Sequence, residues 1–337
     1  MVIMRAMGRQ PGEVEPLPSV VVPVLSAPHR ARLGAVLGSR ARLLDERDVE
    51  DPASLGEHVV LVTGMAHDRM LELSTAPGLR WVACTSSGVE HLPLHDLKRR
   101  GVILTNSAGA HGPAMAEYAL GMMVSLAHGF PAWARGQRQH RWLPLDAAVV
   151  RPLHGRLLGI VGYGAVGRQL ALGAASLGMR TWAIRRSPMF LAGEPIERLL
   201  RPDALPELLA ASDFVVLAAS LNASSRFLLG AEELRIVKPG AILVNVARGG
   251  LVDEAALVEA LRSGRLAGAA LDVAADEPLP PDSPLWDAPN LLVTPHVSGA
   301  SAESWDAVID YLCRNLAVYL DEGPARLGNV VSFDAVQ

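Results

Sequence analysis

Short apolar runs alternate with amphipathic stretches along the first third of the chain. Five such runs lie between Ser19 and Asn106, namely SVVVPVL, ARLLDE, HVVLVTG, LRWVACT and VILTN. Short runs rich in β-branched residues, separated by stretches of helical spacing, predict parallel strands joined by helices. The first third of the chain is therefore expected to form an α/β lobe.

A second series of the same kind begins at Gly155. Its runs are LLGIV, RTWAI, DFVVLAAS, AILVNV, AGAALDV and NLLVTP. One long helix is predicted between the two series, over 113–138, and a final amphipathic helix after Ser301. Because that last helix needs a lobe to pack on, we expect a discontinuous arrangement. Residues 1–107 and 298–337 form one domain, and residues 108–297 form the other.

Length and composition narrow the class of protein. A chain of 337 residues, half of them hydrophobic and 20% charged, suits two domains with substantial cores. The formal net charge of -4 disfavours nucleic acid or an anionic membrane as a partner. The apolar window at 113–127 carries Glu117 and is too short for a bilayer span, so it predicts a buried helix.

The two cysteines and the first residues point to a compartment. Cys84 and Cys313 are far apart and lack metal-ligand spacing, so both are expected to be buried thiols in a reducing environment. Residues 1–18 mix charge with proline and lack the apolar core of a secretory signal. We expect a loose tail and a cytoplasmic protein.

A glycine motif follows the strand predicted at LLGIV. Gly162, Gly164 and Gly167 form G-x-G-x-x-G between an apolar run and a helical one, which is the context of a dinucleotide-binding turn. In such a turn the first glycine permits the bend, the second admits a pyrophosphate and the third lets the helix pack closely. Ala165 and Val166 begin the helix whose N-terminus would receive the phosphates.

The end of the next predicted strand bears on the choice of cofactor. RTWAI is followed by Arg185, Arg186 and Ser187, where NAD-preferring enzymes usually carry an acid for the ribose hydroxyls. Two guanidiniums and a hydroxyl suit a 2′-phosphate instead, although both arginines could be solvated surface charges. NADP is the expected cofactor, and NAD is the alternative.

Polar residues follow three further predicted strands. Arg248 comes after AILVNV, Asp272 closes AGAALDV with Glu277 close behind, and His296 follows NLLVTP. Because parallel strands end at one edge of a sheet, these side chains are expected to converge. A cation can hold a carboxylate, an imidazole can move a proton and an acid can tune the imidazole, which fits reduction of a keto acid. Each residue taken alone has an ordinary structural explanation.

These motifs together resemble one family. The glycine motif, N-x-x-R-G, L-D-V-x-x-x-E-P and T-P-H occur in this order between Gly155 and Gly299, as in the D-isomer-specific 2-hydroxyacid dehydrogenases. The resemblance implies two Rossmann-like α/β lobes, a flavodoxin-like substrate lobe and a doubly wound dinucleotide-binding lobe, with a cleft between them. It also implies a homodimer formed through residues 109–150.

The resemblance also assigns roles to residues of this chain. Arg248 looks like the substrate arginine, and Glu277 with His296 looks like the catalytic acid and histidine pair, with His296 also beside the cofactor. Asp272 and Ala247 look like cofactor-side residues. In TSSGVEHL, Ser87 and Gly88 look like the backbone donors for the substrate carboxylate.

A narrower branch is suggested by two segments. WLPL, which begins at Trp142, and EPLPPDSPLW most resemble the glyoxylate and hydroxypyruvate reductases, so Trp142 is expected near the substrate. Ser220 replaces the usual proline in the segment after DFVVLAA, and Ser225 replaces its threonine. Glu90 replaces the more frequent aspartate after the substrate loop.

Other functions remain as alternatives. Metal-assisted hydrolysis could use Glu90, His91 and His95, but Pro93 and the lack of H-E-x-x-H argue against a metal. No serine lies in a nucleophile elbow. A dinucleotide-sensing corepressor would keep the same residues. The acid at Glu277 disfavours formate as a substrate, whereas longer 2-keto acids stay open because their pocket would involve Met65.

Overall fold

The structure is a computed structural model that describes residues 17–64, 68–144, 150–186 and 193–333. The chain divides into two compact units. One contains the chain up to Ser107 together with Val308–Phe333, and the other contains Ala108–Ala307. The second division therefore lies later in the chain than the boundary predicted at 297. The roles predicted for the two domains stay predictions.

The first unit is built on a five-stranded parallel sheet. Its strands are β1 (Ser19–Val22), β2 (Arg42–Asp45), β3 (Val59–Thr63), β4 (Leu79–Cys84) and β5 (Ile103–Thr105), in the order β2-β1-β3-β4-β5. The helices between them are α1 (Ala27–Leu37), α2 (Asp68–Leu73) and α3 (Leu94–Arg99). This strand order is that of flavodoxin-like folds, as predicted.

The second unit is built on a seven-stranded parallel sheet. Its strands are β6 (Leu157–Val161), β7 (Arg180–Ile184), β8 (Arg198–Leu200), β9 (Phe214–Leu217), β10 (Ala241–Asn245), β11 (Leu266–Leu271) and β12 (Leu291–Val293). The order is β12-β11-β10-β9-β6-β7-β8, which is the doubly wound dinucleotide-binding order with one added edge strand. The prediction of two Rossmann-like α/β domains is confirmed.

Helices cover both faces of this second sheet. They are α4 (Gly112–Ala127), α5 (Phe130–Arg138), α6 (Ala165–Ser176), α7 (Leu205–Ala211), α8 (Ala231–Ile236) and α9 (Glu254–Arg262). One apolar cluster joins α4 and α6 to the sheet, and a second joins α7, α8 and α9. Adjacent strand residues alternate between the clusters: Ile160 belongs to the first and Val161 to the second. The runs are apolar throughout because both faces are buried.

The final helix, α10 (Ala302–Glu322), lies where the sequence predicts it. Within the first unit, its residue Tyr319 packs against Trp81 of β4 with ring centroids 5.1 Å apart. None of the helices in the described ranges is both long and apolar enough to cross a membrane. Cys84 is buried as expected, whereas Cys313 is only partly buried, and neither forms a disulfide.

Two elements differ from the prediction. The prediction of a single long helix over 113–138 is wrong, because the helix is interrupted between α4 and α5. Gly129 there has a positive φ of 71°, and Pro131 lies in the first turn of α5, where its missing N–H is tolerated but could not continue α4. Strand β8 was not predicted, because its three residues pair only with β7 and show no alternating pattern.

Candidate active site

The turn between β6 and α6 has the geometry of a phosphate-binding turn. Gly162 has a φ of 104°, and a Cβ there would lie 2.5 Å from the Ala219 nitrogen. A Cβ on Gly167 would lie 2.5 Å from the carbonyl oxygen of Gly162, whereas one on Gly164 would meet nothing within 4 Å. The two outer glycines are thus required for packing, and the middle one faces space that a ligand can enter.

A cavity of about 410 Å³ opens beside this turn. Gly162 and Gly164 line it together with Arg185 and Arg186, which follow directly after β7. The backbone N–H of Arg185 donates to Leu200 at 3.1 Å, which fixes its position next to β8. Helix α6 begins at Ala165, and its first N–H groups favour an anion. These residues fit a dinucleotide; Ser187 lies outside the described residues.

Ser220 and Ser225, the two departures from the family pattern, line the same cavity. The Ser225 hydroxyl donates to the carbonyl of Ser220 at 2.9 Å and accepts from the N–H of Asn222 at 2.8 Å. The hydroxyl therefore stabilises the turn that forms one wall of the cavity.

His296 and Glu277 form a direct pair. The Nδ1 atom of His296 lies 2.8 Å from Oε2 of Glu277, and both side chains are about 40% exposed. The other carboxylate oxygen accepts the N–H of Ala274 at 3.0 Å, so the carboxylate is oriented from two sides. Pairing at Nδ1 leaves Nε2 as the ring nitrogen for proton exchange with a substrate.

Asp272 holds the loop that carries His296. Its side chain is buried, with 1% exposure. The carboxylate accepts the N–H groups of Val297 and Ser298, each at 2.8 Å, and the hydroxyl of Thr294 at 2.7 Å. Its carbonyl accepts the N–H of His296, whose φ is 55°. The carboxylate is thus engaged inside the protein, and the cofactor contact expected for Asp272 stays a prediction.

Arg248 lies just beyond β10, which neighbours β11 in the sheet. Buried Asn245 braces its turn, donating from Nδ2 to the Arg248 carbonyl at 2.9 Å and accepting the N–H of Ala247 at 3.0 Å. A Cβ on Gly249 would overlap the backbone of Ala274. The Arg248 loop therefore lies against the loop that leads to Glu277. A cofactor contact by Ala247, which is 7% exposed, stays a prediction.

The loop of Ser87 and Gly88 follows β4 in the first unit. Asn106 donates to the carbonyl of Ser87 and the Ser86 hydroxyl donates to the carbonyl of Gly88, each at 2.7 Å. These bonds engage the carbonyl groups of Ser87 and Gly88 and fix the course of the loop. Glu90, the next departure from the family pattern, is exposed.

The family model for the NAD-binding domain of D-isomer specific 2-hydroxyacid dehydrogenases matches residues 120–298. The chain belongs to this family. The matched range contains the glycine turn, Arg248, Glu277 and His296, so the resemblance drawn from the motifs is confirmed, and the protein is an oxidoreductase with a nicotinamide dinucleotide cofactor.

Other members of the family give the branch. The chain is 33% identical to a glyoxylate reductase of Pyrococcus furiosus over 72% of this chain and 74% of that enzyme. It is 33% identical to a glycerate dehydrogenase of Methylorubrum extorquens over 76% and 80% of the two chains. A glyoxylate reductase structure from Paecilomyes thermophila aligns over 95% of this chain and all of that one, at 25% identity and a TM-score of 0.81.

Trp142 does not line a site within its own chain. Its side chain is fully exposed at 102% of the reference area. The substrate contact expected for Trp142 therefore stays a prediction. Met65, the other residue expected near the side-chain pocket, lies outside the described residues.

No group of three or more metal-ligating side chains occurs within the described ranges, Glu90, His91 and His95 included. Membership of the dehydrogenase family is what favours hydride transfer over metal-assisted hydrolysis. The strand ends offer the imidazole of His296, the carboxylate of Glu277 and the guanidinium of Arg248, and their catalytic roles stay predictions.

Four residues that support the site were missed at the sequence level. Asn245 and Thr294 lie within the N-x-x-R-G and T-P-H motifs, where their position next to Arg248 and His296 was the available signal. Glu254 accepts the N–H of Ala275 at 2.7 Å and so fixes the loop before Glu277. Tyr118 of α4 bonds to Thr294, a contact that no sequence spacing indicates.

Proposed function

We propose that this dehydrogenase reduces a small 2-keto acid such as glyoxylate or hydroxypyruvate to the D-2-hydroxy acid, and that it prefers NADPH to NADH. The observation that carries the proposal is the His296–Glu277 pair, whose Nδ1 and Oε2 atoms lie 2.8 Å apart, with the loop of Glu277 against that of Arg248. The relatives named glyoxylate reductase and glycerate dehydrogenase support a short substrate.

Each of the three residues has one task in this proposal. Arg248 binds the substrate carboxylate with two parallel N–H groups. His296 donates the proton from Nε2 to the carbonyl oxygen, and Glu277 on Nδ1 fixes the ring and stabilises its positive charge. When bound, the nicotinamide dinucleotide supplies the hydride. In the reverse direction neutral His296 accepts the proton of the hydroxyl group.

Arg185 and Arg186 support the preference for NADPH. Both line the cavity beside the glycine turn, just beyond β7, where an acid would be needed for the ribose hydroxyls of NADH. Guanidiniums bind a 2′-phosphate through charge-assisted hydrogen bonds. NADH remains the alternative cofactor.

The remaining parts of the proposal concern the whole protein. The first unit would bind the substrate carboxylate through the N–H groups of Ser87 and Gly88, and the second would bind the dinucleotide. The protein would act as a cytoplasmic homodimer formed through residues 109–150.

A substrate panel tests this function. Glyoxylate, hydroxypyruvate, pyruvate and a branched longer-chain 2-keto acid are each assayed for reduction with NADPH and with NADH. Formate is assayed for oxidation with NADP+ and with NAD+. We expect the highest kcat/KM for glyoxylate or hydroxypyruvate with NADPH and none for formate. A clear preference for the longer acid, or for NADH, would overturn the corresponding part of the proposal.

A further inference from the structure

Helix α4 and the residue before it contact the two ends of the segment 294–299. The hydroxyl of Tyr118 is hydrogen-bonded to that of Thr294, two residues before His296. At the start of the helix, Nδ1 of His111 lies 3.2 Å from the carbonyl oxygen of Gly299, three residues after it. The segment that carries the histidine is therefore held against the helix on either side of the imidazole.

The direction of the hydrogen bonds from Tyr118 through Thr294 follows from the Asp272 carboxylate, which can only accept. The Asp272 carboxylate accepts from the Thr294 hydroxyl, so Thr294 uses its hydrogen there and can only accept from Tyr118. Burial raises the pKa of Tyr118, the hydrogen bond with Thr294 lowers it by less, and the nearby Asp272 charge adds a smaller rise. The tyrosine is thus a protonated donor at neutral pH.

The Asp272 carboxylate, which ends this row of hydrogen bonds, also holds the backbone around His296. The carboxylate accepts the N–H groups of Val297 and Ser298, each at 2.8 Å. The backbone carbonyl of Asp272 accepts the N–H of His296, also at 2.8 Å. A restraint on the Thr294 side chain is therefore passed to the residues on both sides of the imidazole.

Helix α4 is itself well fixed in the second unit. Ala116, Ala119 and Met123 are buried in the cluster that also contains α6. A Cβ on Gly112 would lie 3.6 Å from the carbonyl oxygen of Ala165, the first residue of α6. The same helix thus contacts the dinucleotide-binding turn near its start and the histidine loop along its length.

We propose that Tyr118 is a positioning residue, whose hydroxyl acts through Thr294 and Asp272 to fix His296 relative to the bound dinucleotide. The inference rests on the proposed role of His296 as the proton donor. Tyr118 lies on α4 and acts only through Thr294, so its effect is on the placement of the imidazole rather than on the chemistry itself.

The test compares Tyr118→Phe and Thr294→Val, which remove one hydroxyl each, with Thr294→Ser, which keeps it. We expect Tyr118→Phe to lower kcat about 3- to 10-fold, the value of one hydrogen bond, with the Kd for NADPH changed less than about two-fold. Thr294→Val also removes the bond to Asp272 and should lower kcat at least as much. The double variant should lose no more than Thr294→Val alone, and Thr294→Ser should retain the rate. Tyr319→Phe in α10 is the matched control.

Hydrogen exchange provides a readout that needs no substrate. The amides of residues 296–298, which donate to Asp272, should exchange faster in Tyr118→Phe than in the wild type. Their exchange rates should be unchanged in Tyr319→Phe. Unchanged exchange and kcat in Tyr118→Phe and Thr294→Val, or losses that add in the double variant, would overturn the inference. A wild type inactive on every 2-keto acid would instead defeat the proposed function, while the exchange result still decides the positioning role.

Discussion

At the scale of single residues, Arg248 combines charge with a fixed shape. Its guanidinium can hold a carboxylate through two parallel hydrogen bonds, whereas a lysine ammonium supplies charge without the fork. Arg248→Lys is therefore expected to lower kcat/KM for glyoxylate about 10- to 100-fold, the value of one charge-assisted hydrogen bond. Steady-state kinetics measures the loss. Exposed Arg262 in α9 offers the control Arg262→Lys, and equal kinetics in the two variants would make Arg248 structural.

Arg185 and Arg186 carry the second prediction at this scale. Replacing both with alanine removes the charges that face the cavity at the end of β7. The ratio of kcat/KM with NADPH to that with NADH should then fall about 10- to 100-fold, mostly through weaker binding of NADPH. Arg262→Ala should leave the ratio as it is. A wild type that already prefers NADH would show that the two arginines are solvated surface charges.

At the scale of elements, Asp213 joins the starts of β6 and β9. Its carboxylate accepts the N–H of Leu157 at 3.0 Å and the Lys238 ammonium at 2.8 Å. Burial raises the pKa of Asp213, but the bonds from Lys238 and Leu157 outweigh it, so the pKa is lowered on balance. The stabilisation is present above the unfolded value near 4 and is lost as the pH falls through the folded value.

Asp213→Asn is therefore expected to reduce the free energy of unfolding by about 1–3 kcal/mol at pH 7. The difference from the wild type should stay constant down to about pH 5 and narrow below about pH 4. Urea unfolding over this pH range measures it, with exposed Asp203→Asn as the control. A difference that grew on acidification would mean that folding raises the pKa of Asp213, contrary to the expectation.

The elements themselves were largely predictable from the sequence. Apolar runs and glycine positions predicted the turn before α6 and eleven of the twelve strands in the part of the chain that the structure describes, because buried parallel strands leave an uninterrupted apolar pattern. Edge strand β8 and the break at Gly129 carry no such pattern. At the site, the neighbouring strand ends predicted the contact between Glu277 and His296. The bond from Tyr118 to Thr294 could not be foreseen, because it depends on how α4 packs across the sheet.

At the scale of the whole molecule, the oligomeric state is open to a direct test. Phe130 and Trp142, within the segment expected to form a dimer, are 53% and 102% exposed. Exposed aromatic side chains of this size often mark an interface. Sedimentation should give twice the mass of one chain, and changing both residues to serine should shift it toward one chain. Trp305→Ser is the control, and a monomeric wild type would contradict the expectation.

The proposed reaction depends above all on His296, which would transfer the proton to the 2-keto acid. The most direct measurement is the rate of NADPH oxidation with saturating glyoxylate, for the wild type and for His296→Ala. We expect turnover by the wild type and a kcat about 10² to 10⁴ lower in the variant, with NADPH still bound. A variant that kept its rate within about three-fold of the wild type would remove His296 from the mechanism.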